Sequence, residues 1–255
     1  MLVRLFLLAT AASLTLGAAA CGSSSSSPEE PSTQTTCAKL RIVDPSLRTQ
    51  SQCGPNLDYT PVNEYHGDFP AVQEREDAVV LINGDCTGTL IAAQAGPIVL
   101  TAGHCGHVGD SVMMAFNVEA NPDGDPLVTE GTIVEQADTP DYALIQPNKL
   151  PAVTPTPLTT QESERLAVIQ HPRGGPKVIA EGNFAGICDG LIYYKDLDTL
   201  VGSSGAGVLT RNGYLVGIHT DGDCAADGTG SNYGWTAASI VQASAYLQDA
   251  DIAAR

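Results

Sequence analysis

The stretch Thr101-Ala102-Gly103-His104-Cys105 decides how this chain is read. It is answered in the second half by Gly202-Ser203-Ser204-Gly205, with Asp141-Tyr142-Ala143-Leu144 between the two. A serine hydroxyl is a weak nucleophile at neutral pH. It needs a base to take its proton and a third group to orient that base. His104 is the candidate base, Asp141 the candidate orienter and Ser204 the candidate nucleophile. Gly202 and Gly205 let the backbone turn sharply around Ser204, and the N–H groups of Gly202 and Ser204 are the candidate oxyanion donors. Asp138 is the local rival to Asp141, but it precedes Thr139-Pro140 and reads as a turn residue.

The elements around these frames are short and β-rich. Ala78–Ile82 ends at the Asn83-Gly84 turn; Thr87–Ala92 and Ile98–Ala102 follow, and the latter delivers His104. Val112–Phe116 is a further strand, and Thr132–Glu135 and Tyr142–Ile145 bracket the Asp141 loop. The second half continues with Leu166–Ile169, Lys177–Ala180 and Ile192–Tyr194. Gly207–Thr210 and Tyr214–His219 read as a hairpin around Asn212-Gly213. Only Ala237–Ala250 reads as a helix. The chain is therefore all-β with one C-terminal helix.

Composition bounds the rest. The chain has 255 residues with 26 Gly and 16 Pro, enough for one good-sized core. Its net charge of −17 argues against nucleic acid as a partner. Residues 1–20 combine Arg4, an apolar run from Leu5 to Leu16 and Ala18-Ala19-Ala20, the pattern of a secretory signal. Two processing routes are open: ordinary cleavage after Ala20, or cleavage before Cys21 with lipidation of that cysteine. The stretch Gly17–Cys21 resembles a bacterial lipobox, with Ala18 where Leu is usual. Residues 21–36 are Ser/Pro-rich and read as a disordered tether. Residues 37–76 read as an N-terminal extension that wraps the domain or as a propeptide, and 77–255 as the compact domain. The expected location is exported: lipid-anchored to a bacterial membrane, otherwise secreted or periplasmic. A monomer is expected, touching membrane only through that anchor.

Of the seven cysteines, six remain besides Cys21: Cys37, Cys53, Cys86, Cys105, Cys188 and Cys224. An even number in an exported chain implies disulfides, and no pair has CxxC spacing, so no zinc site is expected. Asp123-Gly124-Asp125 and Asp221-Gly222-Asp223 carry oxygen ligands of the kind calcium takes. Neither has EF-hand spacing, and both read as solvated turns. No metal and no cofactor are expected.

The frames Cys86-Thr87-Gly88-Thr89-Leu90-Ile91 and Leu100–Cys105, with Gln170-His171-Pro172, Gly202–Gly205 and Gly217-Ile218-His219, resemble the trypsin-like serine peptidase superfamily over roughly residues 77–250. They are nearest its bacterial glutamyl- and lysyl-endopeptidase branch. The resemblance implies two antiparallel six-stranded β-barrels with the active site in the cleft between them. It implies hydrolysis of protein or peptide substrates by Ser204, His104 and Asp141 without a cofactor. It also implies a Cys86–Cys105 bridge. For the remaining four, Cys37–Cys53 with Cys188–Cys224 is the first expectation; bridges from the N-terminal pair to Cys188 and Cys224 are the alternative.

Substrate contacts are implied at Asp198, His219, Thr220 and Gly222, and they point in opposite directions. Asp198 stands where enzymes that cut after Lys or Arg carry a pocket carboxylate. His219 stands where glutamyl endopeptidases place a His on an acidic side chain. Structural readings stand beside both, Asp198 as a loop hydrogen-bonder and His219 as packing. The Asp that lysyl members place before a Tyr-Gly pair is missing, since Ser231-Asn232 precede Tyr233-Gly234. Two other functions remain open: a catalytically silent two-barrel protein that binds another protein, and a serine esterase. The α/β-hydrolase elbow is not met, because Ala206 stands two residues after Ser204.

Overall fold

A computed structural model describes Cys37, Leu40 and residues 51–252. The expected signal 1–20, Cys21 and the tether 21–36 lie outside the described residues.

The first barrel is built from six strands: β2 (Val79–Ile82), β3 (Cys86–Ile91), β4 (Ile98–Thr101), β5 (Ser111–Phe116), β6 (Leu127–Asp138) and β7 (Asp141–Pro147). They close in the order β2-β3-β4-β7-β6-β5, every pairing antiparallel. Closure explains the sequence pattern. In β5, Val112, Met114 and Phe116 are buried while Ser111 and Met113 face out, the period of a strand with one dry face. β3 and β4 are buried throughout, because their outer faces are also covered. Val80, Ile82, Leu90, Val99, Met114, Phe116, Ile133 and Ile145 fill the barrel.

The second barrel uses β8 (Arg165–Gln170), β9 (Val178–Cys188), β10 (Leu191–Lys195), β11 (Gly207–Thr210), β12 (Leu215–Asp221) and β13 (Asn232–Thr236). The order is β9-β10-β13-β12-β11-β8, closed by the pairing of β8 with β9. A two-residue strand β1 (Thr60–Pro61) adds to β9. Leu166, Val168, Ala180, Ile192, Tyr194, Val208 and Val216 pack inside.

A third buried layer joins the barrels and takes in the N-terminal segment. Val62, Tyr65, Phe69 and Val72 are buried with Leu100 and Leu144 of the first barrel and Ile169, Ile218 and Ile240 of the second. Residues from Ser51 onward are thus packed into the same body as the strands that follow Asp77.

Two expectations are corrected here. The C-terminal helix spans Ala237–Ala243, not Ala237–Ala250. The carboxylate of Glu135 accepts from the N–H groups of Ala245 and Tyr246 at 3.0 and 3.2 Å, which draws the chain out of helical geometry after Ser244. The pairing Cys37–Cys53 with Cys188–Cys224 does not form. Cys37 pairs with Cys188, Cys53 with Cys224 and Cys86 with Cys105. The two N-terminal cysteines dock at separate places: Cys37 beside Leu40, Cys188 and Tyr193, Cys53 beside Asp198 and Asn232.

Candidate active site

His104 leaves the end of β4 on a single 3₁₀ turn, Gly103–Cys105. The neighbouring Cys105 is bonded to Cys86 at the start of β3, so the turn is stapled to the hairpin beside it. Asp141 opens β7, which pairs with β4. Its carboxylate holds His104 at two points. Oδ1 accepts from the His104 backbone N–H at 3.0 Å, and Oδ2 meets the ring Nδ1 at 2.8 Å. A carboxylate can only accept, so Nδ1 carries the proton and Nε2 is left as the basic nitrogen. The hydrogen bond from His104 to Asp141 raises the His104 pKa above its ordinary value, opposed by burial and helped by the charges of Asp141 and Asp221. Asp138 accepts from Gln136 Nε2 at 2.8 Å and lies on the exposed rim.

The Ser204 loop comes from the second barrel, between β10 and β11. Gly202 and Gly205 have φ of +96° and +83°, the left-handed conformations that glycine accommodates. The loop is clamped to the first barrel by Thr87, one residue past Cys86. Thr87 N donates to the Ser204 carbonyl at 2.9 Å, and its buried hydroxyl donates to the Gly202 carbonyl at 2.7 Å. That hydroxyl also accepts from His171 N at 3.0 Å. The Ser204 carbonyl lies 4.0 Å from Cys105 Sγ, and a Cβ on Gly205 would stand 2.6 Å from Ala102 N. The serine loop is thereby pressed against the residues on either side of His104.

The Gln170-His171-Pro172 turn braces the same loop from behind. Gln170 Nε2 donates to the Asp198 carbonyl at 2.7 Å. Arg173 N donates to the Val201 carbonyl at 2.5 Å. In a trans peptide the C=O and N–H point opposite ways, so the Gly202 N–H is directed away from this turn. His171 itself is buried, donates from Nδ1 to the Gly175 carbonyl at 2.9 Å, and has its pKa pushed down to about 4 by burial.

Of the residues expected to meet substrate, Asp198 bonds the N-terminal segment. It is buried, and its oxygens accept from Cys53 N and Asp58 N, each at 2.6 Å. His219 is buried and shares a 2.5 Å hydrogen bond with the Tyr194 hydroxyl. Burial, with the charge of His104, pushes its pKa down to about 3, so it stays neutral. Thr220 is buried on β12, and Gly222 follows that strand against Ser51. The acidic turn at Asp123 joins Glu76 and Glu119 in a carboxylate group whose oxygens lie within 4.8 Å of one another. The buried Lys177 ammonium already bonds Glu76 and Glu119 there, so the cluster holds its own cation.

Sequence reasoning missed Thr87, Arg173 and the 51–58 segment as builders of this site. Thr87 follows Cys86 directly, but nothing local marks a strand threonine as a clamp on a loop over a hundred residues away.

Two closed barrels with a histidine–carboxylate pair and a glycine-flanked serine loop define the class of serine-type peptidases. Residues 86–218 match the sequence model of the trypsin-like peptidase domain, and the chain belongs to that family. Among curated proteins none matches the chain. Two of the solved structures that share its fold show the extent of the likeness. One is a serine endoprotease from Yersinia pestis, 16% identical with a TM-score of 0.53 over 68% of this chain and 64% of that one. The other is the inactive form of a serine-to-alanine mutant of Rv3671c from Mycobacterium tuberculosis H37Rv. It is 18% identical with a TM-score of 0.51 over 68% of this chain and 88% of that one. The chain thus spans less than two thirds of the Yersinia protein's length.

Proposed function

We propose that this protein is an exported serine endopeptidase whose nucleophile is Ser204. The observation that carries the reading is the two-point grip of Asp141 on His104, which orients the ring and leaves Nε2 as the base. Nε2 takes the Ser204 proton as Oγ attacks the peptide carbonyl. The N–H groups of Gly202 and Ser204 receive the developing oxyanion. The imidazolium, held by Asp141, then passes its proton to the leaving amine, and water returned through His104 hydrolyses the acyl-enzyme.

Three disulfides fit an oxidising compartment, extracellular or periplasmic. In this reading residues 1–20 direct export, and Cys21 carries a lipid with 21–36 as its tether. The packed segment from 51 to 76 is retained as part of the working enzyme.

Fluorophosphonate labelling followed by casein digestion tests the activity. Labelling that vanishes in Ser204→Ala, together with casein cleavage, is expected. Labelling without cleavage of casein or any peptide would make the protein an esterase. No labelling at all would make it a silent binding protein.

A further inference from the structure

The segment before β1 lies across the wall where the side chain preceding the scissile bond is expected to bind. The Ser51 carbonyl accepts from Thr199 N at 3.2 Å and from Asn232 Nδ2 at 2.7 Å. Cys53 N and Asp58 N take both oxygens of Asp198. The Cys53–Cys224 disulfide fixes this strap to the loop after β12. Gly222 faces it directly: a Cβ there would land on the Ser51 side chain and 2.7 Å from its Cα. The strap therefore stands in the space beside Gly222, and it is covalently held there.

We propose that Ser51 is a specificity-determining residue that shortens this pocket, so that the enzyme cuts after small uncharged residues such as Gly, Ala and Ser. This rests on the peptidase reading above. Three observations carry the chemistry. The space beside Gly222 is filled from outside the barrel, and pocket size sets selectivity in this class of enzyme. Each Asp198 oxygen already accepts a backbone N–H of the strap, so it offers a Lys or Arg side chain less than an open carboxylate would. Acidic side chains meet a neutral His219 already bonded to Tyr194, the nearby Asp221, and a chain of net charge −17. Selection by size is what remains.

The strap's anchoring separates this from a removable plug. Cys53 is buried, its sulfur is bonded to Cys224, and Gly54 N donates to the Ala225 carbonyl at 3.1 Å. A cut upstream of Ser51 leaves all of these in place.

The test is peptide-library profiling of the full chain and of Ser51→Gly, with fluorophosphonate labelling in parallel. Ser51 has φ of +73°, which glycine adopts without strain, so the variant keeps its fold. A methylene more or less in a pocket is worth roughly 10–200-fold in kcat/KM. The wild-type protein is expected to favour Ala, Ser and Gly over Leu, Phe and Lys by at least about tenfold. Ser51→Gly is expected to raise kcat/KM after Leu relative to Ala by about tenfold or more. A labelled wild-type enzyme that cuts as readily after Lys, Leu or Phe overturns the proposal alone, as does a Ser51→Gly profile identical to wild type. Absence of both labelling and cleavage overturns the peptidase reading, and the proposal with it.

Discussion

Ser203 closes the loop before Ser204 on Leu200: its hydroxyl accepts from Leu200 N at 3.0 Å, and its own N–H donates to the Leu200 carbonyl at 2.9 Å. In trypsin and its animal relatives the residue at this position is an Asp that pairs with an ammonium freed by proteolysis. Here the position is uncharged and satisfied within its own turn. A buried ammonium would find no partner beside Ser203, which is costly. At the start of the barrels, Glu76 is tied to the buried Lys177. Activity is therefore expected without cleavage near residue 77. A soluble protein beginning at Gly22, protected from trimming, should turn over peptides at once. If it is inert until cut near 77, some other group does the work of the missing Asp.

The Asp141–His104 pair is expected to set the pH profile. A general base works only unprotonated, and Asp141 raises the pKa of His104 above its ordinary 6.5. The acid limb of kcat/KM is expected above that value, with activity lost as pH falls through it. Asp141→Asn removes the carboxylate's support of the charged ring, so the limb moves to lower pH. The ring also loses its orienting acceptor, and kcat is expected to fall by about 10⁴-fold. Parallel pH–rate profiles of the two proteins check both effects. A limb that stays in place in the variant would detach Asp141 from the titration.

Thr87 is expected to act through the serine loop that it bonds and not on substrate. Thr87→Val keeps the shape but removes the hydroxyl, leaving the Gly202 carbonyl and the His171 N–H without it. Each buried group left unpaired costs about 1–3 kcal/mol. The expected result is a lowered kcat with KM nearly unchanged, restored by Thr87→Ser. Equal kcat for the valine and wild-type proteins would show that the loop holds its shape without the clamp.

Lys177 is fully buried between Glu76 and Glu119, beneath Asn63, whose Nδ2 donates to Glu119 at 2.7 Å. Lys177→Ala leaves the buried carboxyl groups of Glu76 and Glu119 facing each other without their cation. Breaking a buried pair from one side costs about 3–5 kcal/mol. Urea unfolding at pH 7 should show a midpoint shifted down accordingly. A loss under ~1 kcal/mol would mean that water reaches the site freely.

Most strands were readable because their apolar runs are short and bounded by turn residues, as in Ile98–Thr101 and Ser111–Phe116. β13 was not. In Asn232–Thr236 the buried positions are Asn232, Gly234 and Thr236 while Tyr233 and Trp235 are half-buried, so the dry face is not the apolar one. Its polar residues are buried because they have partners: Asn232 Nδ2 donates to the carbonyls of Ser51 and Leu197. The helix end was misplaced for a similar reason, since Glu135 reaches it from a strand 110 residues away.

The sequence by itself determined the three frames around His104, Asp141 and Ser204, the β-rich class and the even set of export-type cysteines. These are local properties: a turn that needs glycine, a strand that needs β-branched and aliphatic residues, a residue order. Tertiary structure alone decided which cysteines meet, that Thr87 clamps the serine loop, and which groups Asp198 bonds. The partners of Asp198 lie 145 and 140 residues away. A carboxylate six residues before a serine looks the same in sequence whether a substrate cation or a pair of backbone N–H groups will face it. Only the closing of the second barrel over the N-terminal strap settles which group fills that space first.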